Sequence, residues 1–321
     1  MKFTLSYDDP IHLSETLAEL GQVTRITQLE VGKGDYSMSH VSAPGVSIAE
    51  IKASKMLLYE GWGTDWSVDF NWVTPLISSQ ETFGYCEGYE MKANSIGGLQ
   101  TLNSSLGSSW GKYSESCCST ACMLDKTLLM QILQSCNAAV AMENLLNNRG
   151  VDVDISASLQ LRRLARRDMD KGSLTNPSKY YDLIVCCLEE GLPRLYKKNE
   201  LKNQDLLSEI VCLSHERQRM RSPMSLTDVC EYLDTGQASL YRVCQEYFGM
   251  GIIEMMTQVR LEESRRALLT HQYLGDSNET TIRDVAVRYG FKHPGRYARR
   301  YFTSFGELPS QTLETTQLLH L

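Results

Sequence analysis

The last hundred residues carry one local design twice, and this repeat constrains the fold more than any other feature. Ser225-Leu226-Thr227-Asp228 sets a hydroxyl three residues ahead of an acid. At that spacing the hydroxyl accepts from the third helical N–H while the acid reaches back to the cap N–H. Thr281-Ile282-Arg283-Asp284 repeats the arrangement. Each cap starts a short helix, with Leu226, Val229 and Leu233 inward in the first and Val285 and Ala286 in the second. A turn follows each, Asp234-Thr235-Gly236 or Tyr289-Gly290-Phe291, and then a second helix, about 237–248 or about 293–305. A short helix, a tight turn and a second helix make a helix-turn-helix unit. A long amphipathic helix, about 252–269, joins the two units through Ile252, Met255, Met256, Val259 and Leu268.

The preceding residues have a different texture. Between 23 and 125, short β-branched and aromatic runs (23–31, 46–51, 55–59, 67–73, 82–86) are broken by Gly32-Lys33-Gly34, Ala43-Pro44-Gly45 and Gly61-Trp62-Gly63. That pattern predicts an antiparallel sandwich or barrel. A short helix from Ile11 to Leu20 follows Asp9-Pro10, and from Asp125, a helix cap, the chain turns helical. Leu128, Leu129, Ile132, Leu133 and Cys136 take helical spacing, with further helices at 155–169, 180–188 and 206–219. The polar, basic segment 217–223 ends in Pro223 and reads as a linker. The expected architecture is therefore α+β. Residues 1–222 form a sensor and dimerisation domain, β-rich over 23–125 and helical over 126–222, and residues 223–321 form an all-α double helix-turn-helix domain. Two domains suit 321 residues at ~100–200 per domain.

Charge, summed over the chain, points away from nucleic acid. The net charge is -7, and residues 222–321 alone hold ten Lys+Arg against twelve Asp+Glu. A whole-chain sum hides a local patch, however. From Arg288 to Arg300 there are five basic residues (Arg288, Lys292, Arg296, Arg299, Arg300) and no acid. Phosphate affinity depends on such local clusters, because each neutralised phosphate releases counterions.

Other classes find little support. No run approaches the ~18 consecutive apolar residues of a membrane helix, and the first ten residues lack a secretory core, so a cytoplasmic location is expected. The ten cysteines include one cluster, Cys117, Cys118 and Cys122, with neither paired CxxC units nor nearby His. Buried thiols are expected there, and no metal or cofactor. No phosphate loop, HExxH or nucleophile elbow is present, so no enzyme is expected.

The C-terminal residues resemble the AraC/XylS class of transcriptional regulators. Arg260-Leu261, Ala267-Leu268-Leu269, Ile282, Val285-Ala286, Tyr289-Gly290-Phe291, Tyr297, Tyr301 and Phe305-Gly306-Glu307-Leu308-Pro309-Ser310 follow that family's signature over about 223–314. The stretch from Gly290 to Leu313 looks most like the ethanolamine-utilisation regulator subgroup. The resemblance implies a sandwich-like sensor domain, promoter DNA as partner, homodimerisation, a small-molecule effector and contact with RNA polymerase. Pro294-Gly295 departs from the family pattern where polar residues often reach bases, which moves the expected readout to Arg296 and Arg299.

A recognition helix lays its first residues against base edges, where Gln suits adenine and Arg suits guanine. The candidate DNA contacts are Gln237, Ala238, Tyr241 and Arg242 in the first unit, opposite Leu240 and Cys244. In the second they are Lys292, Arg296, Arg299 and Arg300, opposite Tyr297, Tyr301 and Phe305. The cluster Arg162-Arg163-Leu164-Ala165-Arg166-Arg167 reads more readily as a solvated helix face balanced by Asp168 and Asp170. Trp62, Trp66, Trp72, Tyr85 and Tyr89 are candidate walls of an effector pocket, or an ordinary sandwich core. The second functional reading is a protein-partner module that uses the helix-turn-helix pair for protein contacts, which the acidic total favours.

Overall fold

The computed structural model describes residues 2–22, 24–61, 66–76, 83–86, 89–92, 98–102, 110–146, 151–152, 155–193, 198–216, 221–269 and 281–318. The chain divides into two compact units: Met1–Ile26 with Asp35–Leu201, and Thr27–Gly34 with Lys202–Leu321.

In the first unit, β1 (Lys2–Tyr7) leads into α1 (Pro10–Glu19). Asp9 caps α1 because its Oδ1 accepts from the N–H groups of Ile11 (2.9 Å) and His12 (3.0 Å), while Pro10 takes the first turn, where no donor is needed. Then come β2 (Arg25–Gln28), β3 (Tyr36–Ala43), β4 (Val46–Ala53), β5 (Leu57–Glu60) and β6 (Ser67–Pro75). β7 (Phe83–Cys86), β8 (Tyr89–Lys92), β9 (Gly98–Leu102), β10 (Trp110–Tyr113) and β11 (Cys117–Asp125) complete the main strands. Helices α2 (Lys126–Ser135) and α3 (Ala139–Leu146), the short β12 (Val151–Asp152), α4 (Ile155–Lys171), α5 (Ser178–Glu190) and β13 (Leu192–Pro193) follow. α6 (Lys198–His215) comes next in the chain.

Among the described residues, one sheet runs β1-β3-β4-β11-β6-β9-β12-β13 and the other β2-β5-β10-β7-β8. Side chains alternate across a strand, and here each set is buried against a different partner. Val68, Phe70 and Trp72 of β6, with Ile48 and Cys122, pack on Leu129, Leu133, Leu161, Tyr180 and Ile184 of the helices. Met38, Ala49, Ile51 and Met123 instead meet Leu57, Tyr59 and Tyr113 of the second sheet and Leu13 and Leu17 of α1. Burial on both faces explains why β11 shows no polar–apolar alternation: Cys117, Cys118 and Cys122 are all buried.

The first strand differs from the sequence expectation. β1 precedes α1 and pairs antiparallel with β3, from Lys2 opposite Val41 to Tyr7 opposite Tyr36. In α2, Leu129 and Leu133 are buried, whereas Leu128 and Cys136 are exposed. Residues 217–220 of the expected linker lie outside the described residues.

The second unit holds α7 (Leu226–Tyr232), α8 (Gln237–Phe248), α9 (Ile252–Leu269), α10 (Ile282–Arg288), α11 (Pro294–Phe305) and α12 (Pro309–Leu318). α8 and α11 end alike, on Gly249 (φ 71°) and Gly306 (φ 74°), whose left-handed backbone lets the Gly N–H bond back to Gln245 O (3.1 Å) and Phe302 O (2.8 Å). The separate segment Thr27–Gly34 joins this unit at the end of α11. There the Gly32 N–H donates to Thr303 O (3.1 Å) and Ser304 O (3.0 Å).

Candidate nucleic-acid interface

Both short helices start as their sequences predict. The Asp228 N–H donates to Ser225 Oγ (3.2 Å) and the Ser225 N–H to Asp228 Oδ2 (2.9 Å). In the second unit the Asp284 N–H donates to Thr281 Oγ1 (3.2 Å) and the Thr281 N–H to Asp284 Oδ2 (3.1 Å). The Thr281 hydroxyl also donates to Asp284 Oδ2 (2.7 Å), and this bond, with that from the Thr281 N–H, holds the exposed Asp284 carboxyl below its ordinary range.

The second helix of each unit has one buried and one open face. On α8, Leu240, Val243, Cys244, Tyr247 and Phe248 are buried, while Gln237, Ala238 and Arg242 are exposed and Tyr241 is 62% exposed. On α11, Tyr297, Tyr301, Ser304 and Phe305 are buried, while Arg296, Arg299 and Arg300 are exposed. Polar bonds under α11 fix its rotation. Tyr297 Oη donates to Ser264 Oγ (3.1 Å), Ser304 Oγ donates to Gln258 Oε1 (3.0 Å), and Tyr301 Oη pairs with Thr312 Oγ1 (2.8 Å). The rings stack edge-on along the same face, Tyr297–Tyr301 at 5.6 Å and Tyr301–Phe305 at 4.7 Å. Arg265 lies over Phe305 at 4.7 Å and pairs with Glu307 at 3.0 Å, tying α9 to the turn after α11.

The two open faces converge. Gln237 and Tyr241 of α8 and Arg296, Arg299 and Arg300 of α11 line one groove of about 1020 Å³, together with Ile253, Glu254 and Thr257 of α9. Five of the eight sequence-derived DNA candidates thus meet in one concavity. Lys292 lines a neighbouring recess with Arg296 and Arg300, and Ala238 and Arg242 stay on the exposed surface of α8. Gln245 and Thr303 also line the groove. Both were legible as the residues four positions after Tyr241 and Arg299, on the same helix face. Arg260, which lines the recess, had no local signal as a contact because it lies on the linking helix α9, outside both recognition helices.

The remaining candidates lie in the first unit. Trp72 is 4% exposed within the core between sheet and helices, Trp66 is 41% exposed, Tyr85 lies on β7 and Tyr89 on β8. Trp62 lies outside the described residues. A small cavity of about 10 Å³ sits between the sheets, lined by Leu17, Gln22, Tyr59 and Ser119 among others. Within the arginine cluster Arg163, Arg166 and Arg167 are exposed. Asp168 pairs with Arg167 (Nε–Oδ1 3.5 Å) but does not face solvent beside the cluster. It is fully buried, accepting from Thr175 Oγ1 (2.8 Å) and Tyr180 Oη (3.0 Å), and so closes the turn between α4 and α5. Burial pushes the Cys117 and Cys118 thiols up to about 12 and Cys122 higher still. Among the described residues no helix is long and apolar enough to cross a membrane.

A pair of helix-turn-helix units mounted on one long helix, with basic and amide side chains facing a shared groove, defines a DNA-binding module. Residues 229–315 match the helix-turn-helix domain family. The chain is similar to the XylDLEGF operon transcriptional activator 2 of Pseudomonas putida, 29% identical over 147 residues that cover 44% of this chain and 87% of that protein. It is also similar to the XylDLEGF operon transcriptional activator of Pseudomonas putida, 31% identical over 96 residues, 30% of this chain and 29% of that protein. A solved AraC-type regulator from Chromobacterium violaceum aligns over 36% of this chain and 96% of its own, at 20% identity and a TM-score of 0.31. The AraC-like transcriptional activator CuxR aligns over 85% and 96%, at 10% identity and a TM-score of 0.41. The C-terminal unit carries a helix-turn-helix DNA-binding domain, and the chain is a DNA-binding transcriptional regulator.

Proposed function

We propose that this chain regulates transcription by reading two successive major grooves of promoter DNA, α8 in one and α11 in the next. The observation that carries this is the shared groove, where Gln237 and Tyr241 meet Arg296, Arg299 and Arg300. α9 has 18 residues, which at 1.5 Å per residue is roughly 27 Å of rigid spacer. That suits reading heads about one helical turn, roughly 34 Å, apart. Gln237 and Tyr241 are assigned to base edges, Arg296 and Arg299 to guanine edges, Arg242 to a base or phosphate, and Lys292 and Arg300 to the backbone, with the exposed Ala238 suited to a thymine methyl. Residues 223–321 are the reader.

The first unit supplies homodimerisation and response to a small effector in this reading, with Trp62, Trp66, Tyr85 and Tyr89 as candidate wall residues. The regulator works in the cytoplasm, in contact with RNA polymerase, and without a catalytic role. In this reading Gly290–Leu313 groups the chain with the ethanolamine-utilisation regulators.

Titrating a promoter fragment with the purified full chain at rising salt tests the reading. Affinity should fall steeply with salt, because phosphate contacts release counterions. A protein-partner module is the second reading, favoured by the net charge of -7 and by Glu254 in the groove lining. Absence of duplex binding at low salt would select it. Equal affinity and oligomeric state for residues 223–321 and for the full chain would count against control by the first unit.

A further inference from the structure

A recess of about 290 Å³ opens beside the start of α11, separate from the reading groove but sharing two of its walls. Arg260, Lys292, His293, Arg296 and Arg300 line it, Phe291 and Tyr297 give it an apolar side, and none of its lining residues is acidic.

Arg260 is the unusual member. It belongs to α9, is only 9% exposed, and is held rigidly. Its Nε donates to Met256 O (3.2 Å), its Nη2 donates to Thr257 Oγ1 (3.1 Å), and its guanidinium lies over the Phe291 ring at 5.1 Å. No carboxylate pairs with it among the described residues. Taking a charge out of water costs several kcal/mol, which an ion pair ordinarily offsets. Burial and the neighbouring Arg300 push the Arg260 pKa down to about 10, so it stays charged at neutral pH. A buried guanidinium among four more basic side chains, with no acid in the lining, has the chemistry to hold an anion. α11 adds to this: its cap residue His293 makes no side-chain hydrogen bond to the helix, so the N–H groups of the first turn are available.

Arg296 and Arg300 face both the recess and the reading groove. A duplex seated in the groove therefore runs its backbone past the mouth of the recess. We propose that this recess clamps one backbone phosphate of the duplex beside the groove read by α11, with Arg260 as its buried, pre-positioned donor and Lys292 at its rim. This rests on the DNA-reading assignment. Arg260 sets register rather than sequence, because phosphate contacts position and base contacts specify.

The test uses the full chain, a duplex carrying a selected site and a random duplex, with anisotropy titrations across a salt series. Arg260→Gln should weaken both duplexes by a similar factor, roughly tenfold. Its salt slope should fall by about 0.9 for the lost phosphate, whereas Arg260→Lys should recover part of both. Replacing single phosphates by neutral methylphosphonates should reveal one position that weakens the unaltered protein but leaves Arg260→Gln unaffected. If Arg260→Gln does not fold, Lys292→Gln, on an exposed side chain, should show the same slope change and the same coupled phosphate. Folded variants that keep affinity and slope on both duplexes would overturn the clamp and leave the DNA reading standing. Absence of any duplex binding by the unaltered protein would overturn both. Arg260-dependent binding of inorganic pyrophosphate, with duplex affinity unchanged in Arg260→Gln, would assign the recess to a small phosphate ligand and overturn the DNA clamp.

Discussion

Two substitutions two residues apart on α11 should separate folding from reading. Tyr297 is 1% exposed, touches Phe291 at 5.0 Å and Tyr301 at 5.6 Å, and donates to Ser264 Oγ. Truncating a buried aromatic ring to Ala costs about 3–5 kcal/mol, from lost transfer energy and the cavity left behind. That is a fifth or more of a stability of about 5–15 kcal/mol. Arg299, facing outward into the groove, has no side-chain hydrogen bond among the described residues, so Arg299→Ala should change stability by less than about 0.5 kcal/mol. Its loss should instead appear in DNA binding, at about 1–3 kcal/mol, or roughly 5–150-fold in Kd. Thermal unfolding by circular dichroism reads the first quantity and anisotropy with a selected duplex the second. Tyr297→Ala should melt far lower. Arg299→Ala should melt with the unaltered protein and discriminate less between selected and random duplex. A folded Arg299→Ala that binds the selected site as tightly as the unaltered protein would refute the assignment of the outer face of α11 to base reading. So would a fall in melting temperature equal to that of Tyr297→Ala.

Other outcomes follow from the same geometry. Ser225→Ala and Thr281→Ala should each cost about 1 kcal/mol by removing one arm of a capping box, measured by urea unfolding. Brief treatment with a thiol reagent at pH 8 should label Cys136 and Cys212, both exposed, and spare Cys117, Cys118 and Cys122, as peptide mapping will show. Asp69 is fully buried, with Ser67 Oγ on one carboxyl oxygen (2.6 Å), and burial raises its pKa to about 6. The folded state then binds its proton more tightly than the unfolded state. That contribution is present below pH ~4, is lost as pH rises to about 6, and leaves a deficit of up to about 3 kcal/mol above that. Asp69→Asn should therefore stabilise the protein at pH 8 and flatten the pH dependence between 4 and 6. Equal stability of the two proteins at pH 8 would contradict this.

What the sequence makes legible here is local. Ser225 with Asp228, Thr281 with Asp284, and the apolar spacing of Leu240, Cys244, Tyr297 and Tyr301 are all set within one or two helical turns, and α8, α9 and α11 follow them closely. The strands depend on distant partners. β1 is held by β3, more than thirty residues away, and its mostly exposed side chains show no alternation to read. Trp72 looks like pocket material until the pleat of β6 turns it, with Val68 and Phe70, toward the helices. Asp168 sits in an arginine-rich run, so its burial depends on Tyr180, which the sequence places on another helix. Arg260 was visible as a family-like residue. Its cationic recess exists only once α9 and the turn at Phe291 come together.

The central claim is that α8 and α11 read adjacent major grooves from one face of the DNA. Methylation-protection footprinting of the full chain on a selected duplex tests it directly, with Gln237→Ala and Arg299→Ala run beside it. The account predicts two protected clusters about one helical turn apart, the first weakened only by Gln237→Ala and the second only by Arg299→Ala. A single protected cluster, or two clusters that both variants weaken equally, would contradict it.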